Sequence, residues 1–180
     1  PAMVSERKRL EEELALALKA LPKPSSIQDE YVVGKWERHA ALDDPQKYSL
    51  TGDLTISAKI RTKQSVADLV SKYDWRGKQR GYVFGIGGEG DKGSVPGHLF
   101  FWVSSRAESF NGVTVYGSRP VNDGKAHLVA VEFVAGKSVR LFIDGIEDKA
   151  ARVSGKPPPF IAKSSRPLAI GSGYNSSSKA

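Results

Sequence analysis

Thiol chemistry is absent from this sequence, because its 180 residues include no cysteine. A cysteine nucleophile, a zinc site with cysteine ligands and a disulfide bridge are therefore all excluded. Histidine is scarce as well: His39, His98 and His127 are the three present, and they lack the spacing of metal ligands. The sequence therefore predicts no histidine-ligated metal site.

Long apolar runs are also missing. No stretch of about 18 apolar residues occurs, so the sequence predicts no membrane-spanning helix. Apolar residues still make up 39% of the chain, and many alternate with polar ones, which is typical of a globular domain. The length is sufficient for one well-buried domain with an appended segment.

Positive charge is in excess, since 27 Lys and Arg against 20 Asp and Glu give a formal net charge of +7 at pH 7. Such a balance favours anionic partners at long range. Surplus Lys and Arg more often form a solvated surface than a binding site, so we expect no specific nucleic-acid partner.

Residues 1–26 are predicted to form a helix and a linker that precede the main domain. Within residues 5–21, Leu10, Leu14 and Leu18 lie on one stripe of a 3.6-residue period, and two prolines end the pattern. The segment is either a helix packed on its own domain or an arm that leads to a neighbouring domain. A helix this short is unstable alone, so we expect it to pack on the domain that follows.

Residues 122–149 are predicted to form two strands with a tight turn after each. Apolar residues alternate with polar ones along both strands, which gives each strand one apolar face. These residues are Val129, Val131 and Phe133 on the first strand, and Val139, Leu141 and Ile143 on the second. Gly136 permits the chain to reverse between the strands, and Asp144-Gly145 is typical of a type I′ turn. This is the pattern of an antiparallel sheet.

Further short strands are predicted at intervals over residues 27–180. They are 54–60, 66–73, 82–86, 99–103, 113–116 and 168–171, with shorter candidates at 31–33 and 35–37. Pro157-Pro158-Pro159 cannot lie in a central strand, because proline lacks the backbone N–H. Many short strands separated by Gly and Pro turns favour a two-sheet antiparallel sandwich.

Three stretches of the sequence, in the order in which they occur along the chain, resemble the laminin-G-like domains of the concanavalin A-like lectin/glucanase superfold. Asp123-Gly124-Lys125, the strands that follow it and Asp144-Gly145 are similar to the signature hairpin of these domains. Residues 52–60 are similar to an early core strand, and residues 168–171 to the strand after the hairpin. The resemblance implies that residues 27–180 form an all-β jelly-roll sandwich, which the N-terminal α-helix precedes.

The end of the chain departs from that family pattern. Laminin-G-like domains usually continue after the Ile-Gly strand with a Gly-rich loop and a closing strand, whereas this sequence stops at Ala180. Either the closing strand is truncated, or another segment near residues 31–36 takes its place.

Catalysis is not expected. The glucanases of this superfold use carboxylates that alternate on one strand as Glu-x-Asp-x-x-Glu, because one acid donates a proton while the other attacks or stabilises charge. The predicted strands contribute only Glu132. Glycoside hydrolase or lyase activity is therefore the less favoured alternative.

The resemblance instead implies a recognition module of a larger extracellular, cell-surface or periplasmic protein with neighbouring domains. Its partner would be a glycan or an extracellular protein. Sugars are bound by aromatic faces, with amides and guanidinium groups on the hydroxyls. The candidate ligand-binding residues are Trp75, Arg76, Arg80, Tyr82, Arg106, Asn111 and Tyr174. Trp75 is favoured because its polar neighbours indicate exposure, whereas Trp102 lies in an apolar run and is expected in the core.

A heparin-like polyanion is the alternative ligand. Lys72, Arg76, Lys78 and Arg80 surround Trp75 with four cations, against the single acid Asp74. Such a loop would attract polyanions, or it would simply connect two strands.

No cofactor is required by these patterns, although the family resemblance suggests calcium. Calcium takes hard oxygen ligands from carboxylates and backbone carbonyls. Asp43, Asp44 and Asp74 are the candidate ligands, although they lack the dense acidic spacing of a dedicated calcium loop.

Removing residues 1–22 is expected to lower the melting temperature by several degrees. A buried leucine contributes about 1.5–3 kcal/mol, and each kcal/mol lost lowers the melting temperature of a domain this size by about 2–4 °C. Thermal unfolding followed by circular dichroism measures the change. An unchanged melting curve would instead identify the segment as an arm between domains.

Overall fold

A computed structural model of the protein describes residues 47–74, 77–87 and 93–171, together with the backbone of 39–42. In these ranges the chain forms strands joined by turns and loops. The strands are β1 (His39–Leu42), β2 (Leu54–Arg61), β3 (Ala67–Asp74), β4 (Gln79–Ile86), β5 (His98–Ser104), β6 (Gly112–Pro120), β7 (Ala126–Val134), β8 (Ser138–Ile143), β9 (Ile146–Glu147), β10 (Arg152–Gly155) and β11 (Leu168–Ile170).

The strands form two antiparallel sheets. The larger sheet has the order β1-β11-β3-β4-β5-β6-β10, and the smaller has the order β2-β7-β8-β9. The chain crosses from β2 to the larger sheet, returns for β7 to β9, and then adds β10 and β11 to the larger sheet. The all-β, two-sheet antiparallel sandwich predicted from the sequence is therefore confirmed.

The core lies between the two sheets and is built from alternate residues of each strand. Phe101 of the larger sheet and Phe133 of the smaller are both fully buried, and their ring centroids lie 6.4 Å apart. Leu141 and Val131 pair across β7 and β8 on the same inner face. Each such side chain contributes about 1.5–3 kcal/mol relative to exposure, so this alternation holds the sheets together.

A second apolar cluster occupies the other face of the larger sheet. Tyr73, Val83, Phe100 and Tyr116 are buried there, with Trp102 packed against them. The Trp102 ring lies 5.1 Å from Phe100 and 5.9 Å from Tyr73, centroid to centroid. Trp102, which the sequence places in the core, is half-buried in this second cluster rather than between the sheets, because side chains alternate along β5 and Phe101 takes the inner face.

The predicted turns of the central hairpin are confirmed by the backbone. Gly136 has φ of 68° in the loop between β7 and β8, and Lys137 N donates to Val134 O at 2.9 Å. Asp144 and Gly145 have φ of 54° and 78°, as a type I′ turn requires at both central positions. Sequence patterns did not indicate β1, β9 or β10. The helix predicted within residues 1–26 and the strands predicted at 31–37 lie outside the described residues.

His127 connects the two loops at one end of this hairpin. Its Nδ1 lies 2.9 Å from Asp144 Oδ2, and its Nε2 lies 3.1 Å from Asp123 Oδ1. Asp144 also accepts a hydrogen bond from Leu128 N at 2.9 Å. The hydrogen bond that His127 donates to the Asp144 carboxylate is the main reason that the pKa of His127 is raised, and the contact with Asp123 adds to it. The pKa of each carboxyl is lowered, mainly by Lys125 N for Asp123 and by His127 for Asp144.

These shifts define a pH range in which His127 stabilises the fold. A raised histidine pKa contributes stability that is complete below about pH 6.5 and is lost as pH rises through the folded-state pKa. The lowered aspartate pKa values contribute stability above about pH 4, which is lost as pH falls through their folded-state values. We therefore expect His127→Gln to reduce the melting temperature most between about pH 4 and 6.5, and progressively less at higher pH.

His98→Gln is the matched control, because the His98 Nδ1 lies 3.0 Å from the backbone oxygen of Gly117 rather than from a carboxylate. Melting curves of both variants and the parent protein, recorded across this range, measure the effect. A His127→Gln deficit that stays constant from acid to alkaline pH would contradict the role of the two carboxylates.

Candidate functional site

The candidate site is formed where β6 and β10 pair at one edge of the larger sheet. Gly155 lies opposite Val113, and Ser154 lies opposite Thr114. Gly155 has φ of 88°, and a Cβ there would overlap the carbonyl oxygen of Gly112. Only glycine permits both the positive φ and this close approach, so Gly155 lets β10 approach β6 at the base of the site.

After β10 the chain continues as Lys156 and three prolines without forming a strand. Prolines fix φ and offer no backbone donor, which keeps this segment extended. It is held in place because Gly136 N donates to Pro158 O at 2.8 Å and Ile161 N donates to Thr51 O at 2.9 Å. The proline segment therefore forms a fixed wall.

The opposite wall is the connection between β5 and β6, residues 105–111. Ser104 Oγ donates to Arg106 O at 2.8 Å and accepts from Asn111 N at 3.1 Å, so one buried hydroxyl closes the loop. Ser105 Oγ donates to Asn111 O at 2.9 Å and accepts from Asn111 Nδ2 at 2.9 Å. The loop is thus ordered by its own hydrogen bonds before any ligand arrives.

An open groove of about 500 Å³ lies between these walls. Its lining combines a hydroxyl, an amide and an ammonium group with glycine backbone and proline rings. The lining residues are Ser105, Asn111, Gly112, Gly155, Lys156, Pro157, Pro158 and Pro159. Among the described residues, neither the Asn111 side-chain oxygen nor the Lys156 ammonium group has a hydrogen-bond or ion-pair partner, so both can contact a ligand.

Two exposed aromatic residues adjoin the groove in the chain. Phe110 precedes Asn111 and is 41% exposed, and Phe160 follows Pro159 and is 51% exposed. The sequence analysis missed both residues, along with Lys156 and the proline wall. The sequence does place each phenylalanine beside a residue typical of loops, Asn111 or Pro159. That pattern alone does not show whether the aromatic side chain is exposed or lies in the core.

The structure divides the predicted ligand-binding residues. Arg106 and Asn111 are exposed together on the β5–β6 loop. Arg80 is buried beneath that loop, where its Nη1 donates to Ala107 O at 3.0 Å. Tyr82 lies in the main core and its hydroxyl donates to Tyr48 O at 3.1 Å, while burial raises its pKa. Trp75, Arg76 and Tyr174 lie outside the described residues.

Arg80 supports its surroundings rather than facing solvent. It lies beside Tyr73, and burial raises the pKa of that phenol to about 12 despite the opposing effect of the arginine. Together with the hydrogen bond to Ala107 O, this contact joins the second apolar cluster to the β5–β6 loop. Arg80 therefore positions one wall of the groove.

One of the predicted calcium ligands, Asp74, is already bound by other residues of the protein. Asp74 is buried, with Oδ2 at 2.7 Å from Arg166 Nη2 and Oδ1 accepting from Gly77 N at 2.9 Å. Its carboxylate is therefore engaged in closing the turn between β3 and β4. Within the described ranges no group of three or more His, Asp or Glu is arranged to hold a metal ion. Asp43 and Asp44, the other predicted ligands, lie outside these ranges.

Glu132 lies on the outer face of the smaller sheet and accepts a hydrogen bond from Arg140 Nε at 2.7 Å. Over the described part of the chain, no helix is long and apolar enough to cross a bilayer.

Comparison with known proteins agrees with this architecture. A laminin G domain model, described as the concanavalin A-like lectin/glucanases superfamily, matches residues 34–180. No curated protein matches the chain. Among solved structures, domains LG4-5 of the mouse laminin alpha1 chain match with a TM-score of 0.51 and 17% identity. The match covers 89% of this chain and 40% of the laminin chain, and at this identity it shows the fold alone.

The strand order, the central hairpin and the extent of the family match agree with one another. The chain therefore belongs to the laminin G-like domains of the concanavalin A-like lectin/glucanase superfamily.

Proposed function

We propose that this domain is a non-catalytic carbohydrate-recognition module of a larger extracytoplasmic protein, and that the groove between β6 and β10 binds a short glycan segment. The observation that carries the proposal is the groove itself. It combines the hydroxyl of Ser105, the amide of Asn111 and the ammonium of Lys156, and two exposed phenylalanines lie next to its lining residues in the chain.

These groups match the two surfaces of a sugar. Hydroxyls of a pyranose accept and donate hydrogen bonds, which amide, hydroxyl and ammonium groups complement. The C–H face of the ring is apolar and packs on an aromatic ring such as Phe110 or Phe160. A groove of about 500 Å³ falls in the range of small-molecule sites and accommodates roughly one or two sugar rings.

Preorganisation supports binding at this place. The β5–β6 loop is closed by the hydrogen bonds of Ser104 and Ser105, and the proline wall is anchored to Gly136 and Thr51. Walls that are already ordered lose little conformational entropy when a ligand enters. Binding therefore needs few new contacts to be measurable.

The acids of the smaller sheet and its adjoining loops support a role without catalysis. Glycoside hydrolysis uses two carboxyl groups that flank the scissile bond. Glu132 is bound by Arg140, while Asp123 and Asp144 both bind His127. Each of these carboxylates already has a protein partner, and none of them lines the groove.

Asn111→Ala and Phe110→Ala are each expected to weaken glycan binding by about 3- to 10-fold. The first removes a hydrogen bond and the second an aromatic face, which contribute about 0.5–1.5 kcal/mol each. Screening an oligosaccharide panel to find a ligand, followed by calorimetry with the variants, measures the change. Gln64→Ala is the matched control, because it removes an exposed amide far along the chain from the groove.

Salt separates the glycan proposal from the heparin-like alternative. A neutral oligosaccharide should bind with nearly the same affinity at low and high salt. A polyanion should lose affinity steeply, since the Debye length falls from about 10 Å at 0.1 M to about 3 Å at 1 M. Ligand binding that is insensitive to both groove substitutions would contradict the groove as the site.

No turnover is expected when the domain is incubated with β-glucans or sulphated galactans. The reason is that Glu132 is engaged by Arg140 and that, among the described residues, no carboxylate lines the groove, whereas glycoside hydrolysis uses two. An assay for released reducing ends tests this. Release that disappears in Glu132→Gln would refute the non-catalytic role.

A further inference from the structure

The outer face of the smaller sheet carries a group of cations that the proposed glycan site does not use. Lys59 and Arg61 of β2 are exposed, and they alternate with residues of the strand that face the core. Lys59 lies opposite Leu128 on β7, and Arg61 lies opposite Ala126. Both cations therefore project outward from a part of the sheet whose pairing is uninterrupted.

Two further lysines extend this group beyond the end of β2. Gly124 N donates to Thr62 O at 3.0 Å, which joins the loop after β2 to the loop before β7. The Lys63 side chain lies across Gly124, because a Cβ there would be 3.0 Å from Lys63 Cε. Lys125 follows directly, and its side chain is 83% exposed. We call Lys59, Arg61, Lys63, Lys125 and Leu128 the basic face.

The acids near the basic face are already engaged. Asp123 binds His127 and lies 3.7 Å from the Lys125 ammonium group, and Asp144 binds His127 and Leu128 N. Glu132 binds Arg140. Among the described residues, Lys59, Arg61 and Lys63 have no ion-pair partner. Their charge is therefore available to an external anion.

An exposed apolar residue lies among these cations. Leu128 is 53% exposed between Lys59 on one side and the Asp144 turn on the other. Phe142, diagonally adjacent on β8, is half-buried on the same face. A soluble polyanion would bind the cations but would offer Leu128 no apolar partner. A bilayer with acidic headgroups offers both, with phosphates at the level of the cations and acyl chains beneath them.

We propose that the basic face binds peripherally to the surface of a membrane that contains anionic phospholipid. The basic face shares no residue with the groove between β6 and β10. Attachment by cations and one apolar side chain is reversible and needs no spanning segment. Each Lys or Arg close to such a surface raises affinity by about fivefold at physiological salt.

Co-sedimentation of the full chain with phosphatidylcholine vesicles, with and without phosphatidylserine, tests the proposal. We expect binding only when phosphatidylserine is present. Lys59→Ser/Arg61→Ser should weaken that binding by about 25-fold, from two contributions of about fivefold each. Leu128→Ser should weaken it several-fold, because it removes the apolar contact but no charge. All three positions are exposed, and melting curves confirm that the variants are folded.

Lys137→Ser/Lys149→Ser is the matched control, since it removes two exposed cations outside the basic face. Its binding should remain within about twofold of the parent protein, through the loss of long-range attraction alone. Dextran sulphate serves as the soluble polyanion, and its binding should not depend on Leu128.

Three results would overturn the proposal. The first is equal binding to vesicles with and without phosphatidylserine, or none to either. The second is an equal loss in the Lys137/Lys149 control and the Lys59/Arg61 variant, which would indicate net charge rather than a face. The third is phosphatidylserine binding that survives in Leu128→Ser unchanged, which would remove the apolar contact that favours a bilayer over a soluble polyanion. Glycan calorimetry is independent of all three, so failure here leaves the proposed function untouched.

Discussion

The packing of two apolar faces against each other is the constraint on which the rest of this domain depends. Phe101 and Phe133 meet at the centre of the sandwich, and alternate residues of each strand extend the contact along both sheets. Because the side-chain period of a strand is two, a register slip of one residue would exchange the buried and exposed sets. The same register therefore places Lys59, Arg61 and Leu128 outside, and Ile56 and Val131 inside.

Much of the fold could be predicted from the sequence, because the inner strands carry strong alternation and the turns carry glycine at positive φ. Gly136 and Gly145 are examples, and both lie where the hairpin reverses. The strands β9 and β10 could not be predicted in this way. Their residues are mostly exposed, so no apolar period marks them, and their pairing depends on the strands beside them. For Trp102 the sequence indicated burial but not which face of β5 it occupies, because its neighbours are apolar on both faces of that strand.

The candidate site was predicted less well than the fold, and the reason is distance along the chain. Asn111 and Arg106 lie in the loop that forms one wall, but Lys156 and the prolines of the other wall come more than 40 residues later. Only the pairing of β6 with β10 brings the walls together. Two residues that were predicted to bind a ligand are buried instead. Arg80 donates a hydrogen bond to the β5–β6 loop, and Tyr82 lies in the core. Neither role is encoded by the residue type alone.

The three prolines after β10 have a consequence for the behaviour of the domain in concentrated solution. Within the described part of the chain, strand β10 lies at one edge of the larger sheet, and its four residues are all exposed. An exposed edge strand is a template on which a strand of another molecule can pair and begin aggregation. Pro157, Pro158 and Pro159 have no N–H to donate, so they block extension of that pairing beyond Gly155. The segment that forms one wall of the groove thereby also protects the sheet edge against self-association.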